Sequence, residues 1–546
     1  MQYLSRSYSW TRLALVAFVF GLVSSLPIVS LSRRCGIRKV AAKSPTALLV
    51  SNANPTDGQA IIEQVEDRHT RAQMLSRGDP DVDAPLPPAY TACPFTGIVG
   101  GTQSFFRVAS KALQSPSMFS FVSKNEPMIE VSGGSLVRRL LNQEFTALTS
   151  NAVVGISQIA CGTESLRTAR DPAQHRALRD LVSVPLSPAA VQACIPRLQA
   201  ISQQRIDELA KPGVVIRAIE LTRAMALDIT WQQVLGLNFK TADEIDTFHQ
   251  YTYQWLRGMY SKPESPPFQA MLSARKYLVK AIEGKIEELL LAGHSDGSTV
   301  GGLVYATLED VNGEADGEKD QTQRLSKQEV IDNALLLILA ATETTSSNLA
   351  NSILLMGLHP DVWEKIVDEQ IKVTEKHGEE ITKEILADDC PHLDAVIQET
   401  LRILPVTLIS RRQASKTLVL DNQQIPKGWG VSYNIFLTHQ RDPSVTWFGA
   451  EDPMDLVAGF RPSRWLDPAT RPTNLDYIPF GAGPRKCPGI FLAKTEMKTF
   501  LAVFARSVRY KLARDIDPNQ PIDSQIVWEQ RNTVPIPEDG VEIRIL

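Results

Sequence analysis

One cysteine near the C-terminal end, Cys487, sits in Phe480-Gly-Ala-Gly-Pro-Arg-Lys-Cys-Pro-Gly489, a loop made almost entirely of glycine, proline and cations. Gly481, Gly483 and Gly489 let backbone approach a flat ligand closely, and proline fixes the turns. The neighbouring cations and the start of a following helix are expected to hold Cys487 as thiolate. A lone thiolate presented this way suits the axial position on a haem iron, where it pushes electron density toward O–O cleavage. The plainer reading is a buried structural cysteine in a surface loop. Haem also carries two propionates, which need cations, and Arg485 is the first candidate.

A second constellation is Glu399 and Arg402, three apart in Leu393–Leu404. That spacing puts them on one helix face. The face abuts a stripe of Leu393, Val396, Ile397, Leu401 and Leu404, where a carboxylate and a guanidinium should pair. Pro405 ends this helix. A third is Ala340-Ala-Thr-Glu-Thr-Thr345. Taken alone, its threonines could simply bond back to the carbonyl one turn earlier.

Elements must position these groups. Ser326 and Glu329 make a capping box, with Leu325 and Val330 as the hydrophobic staple. A helix is therefore predicted from there to about Met356, roughly 45 Å long at 1.5 Å per residue. Ala334–Ala341 is apolar on all sides, so the helix centre is expected to be buried. After Cys487, the stripe Ala493, Met497, Phe500, Leu501 and Phe504 reads as a core helix behind the loop. Leu418–Leu420 and Gly430–Tyr433 read as short strands turning through Gln424–Gly428. The polar run between Leu291 and Arg324 reads as a solvated loop.

The chain has 546 residues, 43% hydrophobic and 22% charged, which reads as globular. A net charge of −4 gives no support for nucleic-acid binding. The six cysteines are scattered without C-x-x-C, and the eight histidines form no H-E-x-x-H, so neither a disulfide scaffold nor a zinc site is suggested. Leu13–Leu31 is uncharged and nearly membrane-spanning in length, and Arg33, Arg34, Arg38 and Lys39 follow it. This reads as an N-terminal anchor with the body cytosolic; a cleaved signal peptide is the other reading. Residues 1–32 are thus taken as anchor, 33–84 as a linker of unclear structure, and 85–546 as one catalytic domain.

The loop pattern F-x-x-G-x-R-x-C-x-G, met at every fixed position, resembles the haem-binding signature of the cytochrome P-450 family. Other motifs precede it in the family's order. Glu399 and Arg402 resemble its E-x-x-R pair. Phe460-Arg-Pro-Ser-Arg-Trp465 resembles its F-x-P-x-R-W motif and makes Arg464 the third member of a structural triad holding the haem loop. Ala340–Thr345 resembles the oxygen-activation motif, with Thr344 and Glu343 as the hydroxyl and acid that deliver protons. Ala341 stands where the family often has glycine, narrowing the oxygen groove. His175 and Arg179 resemble the family's W-x-x-x-R propionate pair. Arg412 is a further propionate candidate, with Arg411 as competitor. Thr407, Leu408 and Ile409 would face the substrate and, with Leu337, form an apolar pocket.

The resemblance covers about Pro85 to Leu546. It implies a mainly α fold with a small β region, preceded by a transmembrane helix. It also implies haem b, O2 and a lipophilic substrate of terpenoid, sterol or retinoid-like type. Electrons would come from NADPH through a cytochrome P-450 reductase, with cytochrome b5 as a possible second donor, because no flavin or nicotinamide fingerprint is present. The expected location is the membrane of the endoplasmic reticulum, in contact with its lipid. The rivals are a haem-thiolate isomerase or dehydratase needing no O2, and a non-catalytic haem-binding protein.

Overall fold

The computed structural model describes residues 68–546 apart from 92–100, 124–125, 150–155, 260, 313–324, 443–451, 518–519, 521, 523–524 and 530–534. The anchor segment, most of the 33–84 linker, Cys35 and Cys93 lie outside the described residues. Among the described residues no single helix is long and apolar enough to cross a membrane.

The helices that frame the site are α1 (Gly134–Leu141), α2 (Pro172–Ser183), α3 (Pro188–Leu209), α4 (Ala218–Ile229), α5 (Ala242–Gly258), α6 (Pro266–Ala292), α7 (Thr299–Asn312), α8 (Lys327–Leu358), α9 (Pro360–His377), α10 (Pro391–Ile403), α11 (Ile435–Gln440) and α12 (Ile490–Ser507). The expected capping box opens α8: Glu329 N–H donates to Ser326 Oγ at 3.2 Å, and Ser326 N–H donates to Glu329 Oε2 at 2.8 Å. Asp171 caps α2 by accepting from Ala173 and Gln174 N–H, with Pro172 in the first turn. The C-terminal half of α8 packs with α4, α10 and α12 in a core that includes Leu349, Ile353, Leu401, Phe500 and Phe504. Its N-terminal half shares a second core with α6 and α7 through Ala334, Leu335 and Ile338.

The strands are β1 (Met118–Ser123), β2 (Glu126–Val131), β3 (Leu148–Thr149), β4 (Val215–Arg217), β5 (Ile409–Ala414), β6 (Leu418–Leu420), β7 (Gln423–Ile425), β8 (Gly430–Asn434), β9 (Tyr510–Leu512) and β10 (Glu542–Ile545). They form a five-stranded sheet β1-β2-β8-β5-β3, a three-stranded sheet β4-β10-β9 and the hairpin β6-β7.

Three expectations are corrected. The polar run after Leu291 contains α7, because Val300, Leu303 and Val304 make a short apolar stripe that the surrounding Gly, Ser and Asp conceal. β6 turns not through Gln424–Gly428 but at Asp421-Asn422, both at positive φ (53° and 58°), and β8 belongs to the larger sheet. The centre of α8 is not buried all round. Ala340 is exposed, and Leu336, Leu337, Ala341 and Thr344 are half-buried. Their spacing of three and four places them on one stripe, which protein side chains cover only in part.

Candidate functional site

The cysteine loop is built by backbone. Gly481 (φ +72°) and Gly483 (φ +69°) adopt left-handed conformations. A Cβ on Gly481 would meet Tyr433 Oη at 2.9 Å, and one on Gly483 would meet Leu141 Cβ of α1 at 3.1 Å. Gly489 has an ordinary φ of −86°, so conformation does not demand glycine there. Its added Cβ would point at Cys487 Sγ, 3.9 Å away. The loop closes when Cys487 N–H donates to the Phe480 carbonyl at 2.9 Å. Contrary to the sequence expectation, the protein alone does not favour the thiolate. Burial pushes the Cys487 pKa up and outweighs the Gly489 N–H, Arg179 and Lys486, which pull it down. Coordination to a metal ionises a thiol outright.

A relay of hydrogen bonds ties the loop to α10. Glu399, fully buried, accepts from Arg402 Nε and Nη2 at 2.9 Å each and from Arg464 Nε at 3.0 Å. It also accepts from Arg461 N–H at 2.8 Å and Trp465 Nε1 at 2.9 Å. Burial alone would raise its pKa, but Arg402 and Arg464 bring it below the usual carboxylate value. The three residues expected as a triad are therefore brought together. Sequence reasoning missed His439 of α11. Its Nδ1–H donates to the Arg402 carbonyl at 2.9 Å, and its Nε2 accepts from Ile478 N–H at 3.0 Å. Burial drives the His439 pKa down to about 3, so this tautomer is neutral. The Ile478 carbonyl then accepts from Gly481 N–H at 2.9 Å. The path from Glu399 to the cysteine loop is thus a continuous set of bonds.

The cation candidates also converge. Arg485 Nε donates to Glu144 Oε1 at 2.8 Å, and Arg412 Nε donates to Glu144 Oε2 at 2.6 Å. Glu144, which sequence reasoning missed, bridges the two guanidiniums; its signal in the sequence is a lone carboxylate with no motif. Arg179 Nη1 donates to the Lys486 carbonyl. His175, on the same helix as Arg179, packs its ring at a tilt of 52° against Phe145, 5.1 Å between ring centroids. Burial, then Arg485 and Arg179, lower its pKa to about 4, so it is neutral. Arg411, the competitor of Arg412, pairs instead with Glu126 at 2.6 Å. Arg412 and Arg485 share the single carboxylate of Glu144, so positive charge is in excess at this pair.

On α8, Thr344 Oγ1 donates to the Ala340 carbonyl at 2.6 Å. Glu343 is held by Arg223 of α4 through two bonds of 3.1 and 3.2 Å. Arg223 was not singled out from the sequence, since nothing in α4 marks it. Thr407 is exposed and Ile409 half-buried. Leu408 corrects the pocket expectation: it is 5% exposed and packs with Phe105, Phe106, Phe119, Phe121 and Phe436, so its side chain belongs to the core. Leu337 lies on the open stripe of α8.

These residues fit a haem. A soft sulfur donor stands in a loop turned by Gly481 and Gly483, a surplus of arginine lies near it, and an apolar stripe runs along α8 to Thr344. Leu492, just beyond the loop, shares a core with Ala334, Leu335 and Ile338 of α8, which sets the cysteine loop against that helix. Such a site on a long helix defines a haem-thiolate protein.

The comparisons agree. The model of the family described as Cytochrome P450 matches residues 87–535, and the chain belongs to that family. It is 28% identical to the taxoid 2-alpha-hydroxylase of Taxus canadensis over 485 residues, covering 84% of this chain and 90% of that one. It is 30% identical to cytochrome P450 26B1 of Xenopus tropicalis over 399 residues, covering 71% and 73%. Among solved structures, retinoic acid bound cyanobacterial CYP120A1 matches with a TM-score of 0.68 at 24% identity, covering 85% of this chain and all of that one. The protein is a cytochrome P450 monooxygenase with haem as cofactor, using O2, a redox partner and a lipophilic substrate.

Proposed function

We propose that this chain hydroxylates or epoxidises a terpenoid or retinoid-like lipid, with residues 85–546 as the catalytic domain and Cys487 as the axial ligand. The relatives named for taxoid hydroxylation and the retinoic acid bound neighbour support that substrate class. The observation that carries the reading is the joining of the cysteine loop, the arginine cluster and the open Thr344 stripe in one frame. When bound, haem supplies activation of O2, leaving one oxygen atom in product and one in water.

The chain's own residues do the rest. Glu399, Arg402 and Arg464, through His439, fix the cysteine loop. Arg179, Arg412 and Arg485, with neutral His175, receive the propionates. Leu337, Ala340 and Ala341 give an apolar wall, joined by Thr407 and Ile409 at its edge, and exclude water from the reacting carbon. Thr344 Oγ1 holds a proton, with the Ala340 carbonyl orienting it, and Glu343 passes protons from the Arg223 side. Arg138, Lys486 and Lys494 line an open cavity of about 780 Å³ beside the cysteine loop, and this basic face suits an acidic NADPH-dependent reductase or cytochrome b5. Residues 1–32 would anchor the enzyme to the endoplasmic reticulum, with 33–84 as linker.

The test is product profiling with a reductase and NADPH under isotopically labelled O2. One labelled oxygen in a terpenoid or retinoid product is expected. Conversion without O2 or NADPH would overturn the reading in favour of isomerisation.

A further inference from the structure

Beside the cysteine loop, Lys494 of α12 is a lysine without an acid of its own. It is half-buried and lines the open cavity of about 780 Å³, as do Lys486, Arg138 and Tyr477. The carboxylate that bears on it, Asp394 of α10, is taken by Lys498, one turn further along α12, whose Nζ donates to Asp394 Oδ1 at 2.6 Å. Lys494 Nζ is left with Gln398 Oε1 at 3.4 Å, and that oxygen already accepts from Tyr477 Oη at 3.0 Å. Among the described residues Lys494 forms no ion pair. Its ammonium therefore stands in a poorly solvated place, short of acceptors and among like charges. Burial, with Lys498 and Lys486 adding to it, lowers the Lys494 pKa against the pull of Asp394. A lysine desolvated beside other cations is the usual form of an amine nucleophile toward carbonyl compounds. Lys486 and Arg138 add cations that select an anionic group on the reacting molecule.

We propose that Lys494 is a covalent modification site, condensing with an aldehyde that carries an anionic group. The Lys494 nitrogen attacks the carbonyl carbon and a C–N bond forms. Both amine protons leave with the carbonyl oxygen as water, and a C=N double bond remains. No oxidant and no further reactant is needed. The adduct puts a negative group where the bare enzyme presents an ammonium, so it weakens the attraction of this face for an acidic partner. That consequence rests on the reductase-docking reading above, whereas the modification site does not.

The test treats the haem-loaded full chain with substoichiometric pyridoxal 5′-phosphate, fixes the adducts with cyanoborohydride and maps them by mass spectrometry. At pH 7, Lys494 should carry at least about five times the label of Lys416 or Lys427, which are exposed. Its labelling should also reach half its maximum at lower pH than theirs. Pyridoxal without the phosphate should label Lys494 about three- to tenfold less, and joint Arg138→Gln and Lys486→Gln replacement should remove that preference. Lys494 labelled no faster than Lys416 and Lys427 would overturn the site. Equal labelling by pyridoxal and its phosphate would overturn the anionic requirement. In the labelled enzyme, reduction by NADPH and reductase should slow about two- to tenfold while dithionite still gives the full ferrous–CO band. Unchanged reduction by the reductase, with Lys494 labelled, would overturn the docking reading and leave the site standing.

Discussion

Replacing Glu399 with alanine should leave almost no haem-loaded protein. The carboxylate takes five donors in a site without solvent, and two of its partners, Arg402 and Arg464, are themselves 1% exposed. Removing one partner of a buried ion pair costs ~3–5 kcal/mol, because a charge is left without compensation. Here two guanidiniums lose their counter-charge at once, and Trp465 Nε1–H becomes an orphan at ~1–3 kcal/mol more. Arg402 keeps the Pro453 and Gly459 carbonyls, at 3.1 and 2.9 Å, which soften the loss without supplying negative charge. The total approaches the 5–15 kcal/mol that holds a typical protein folded. Glu399→Gln keeps the shape and one acceptor oxygen, so it should be destabilised less but still lose the Arg464 pairing. The assay is the haem-to-protein ratio and thermal unfolding of purified variants. A Glu399→Ala protein that is stable, fully loaded and inactive would refute the structural assignment and point to catalysis.

Thr344→Ala should keep haem content, since alanine favours helix, while product per NADPH falls at least about tenfold and hydrogen peroxide rises; wild-type coupling would count against Thr344 as the proton donor. Glu144→Gln leaves the Arg412 and Arg485 guanidiniums without their shared counter-charge, so the melting temperature of the haem-free protein should drop more than that of the loaded one, where propionates restore negative charge. Equal drops would argue against propionates at these arginines. Glu130 and Glu496 are both raised by burial to about 8, so the folded state binds more protons than the unfolded state above the usual carboxylate pKa. Their stabilising effect is complete at low pH and is lost as pH rises to about 8, at ~1.4 kcal/mol per pH unit per group. The depressed histidines, His175 and His439, act oppositely, but only up to the ordinary histidine value of 6.5. Stability should therefore fall between pH 6.5 and 8 in the wild type. Double replacement of both glutamates by glutamine should flatten that slope, as followed by denaturant unfolding.

Where a side chain's role is fixed by its neighbours in the chain, sequence showed it. The capping box at Ser326 and Glu329 opens α8 as expected, the stripe after Cys487 is the core of α12, and Glu399 meets Arg402 across one turn. Gly481 and Gly483 are glycine because their backbone is left-handed. What escaped was pairing across long sequence distances. Glu144 lies far from both arginines it bridges, and Arg223 is likewise distant from Glu343. His439 acts through one backbone carbonyl and one backbone N–H, which no residue pattern encodes. The position of Leu408 suggests the pocket, yet this residue, just before strand β5, packs in an aromatic cluster. α7 was missed because three apolar residues amid Gly, Ser and Asp carry little periodic signal.

The central claim is that Cys487 ligates the haem iron through sulfur. The ferrous–CO spectrum of the Cys487→Ser variant tests it most directly, because the red-shifted Soret band requires a thiolate axial ligand. The band should be lost in Cys487→Ser and retained when Cys161, Cys194 or Cys390, all buried elsewhere, is replaced by serine. A Cys487→Ser protein that keeps the band and full turnover would contradict it.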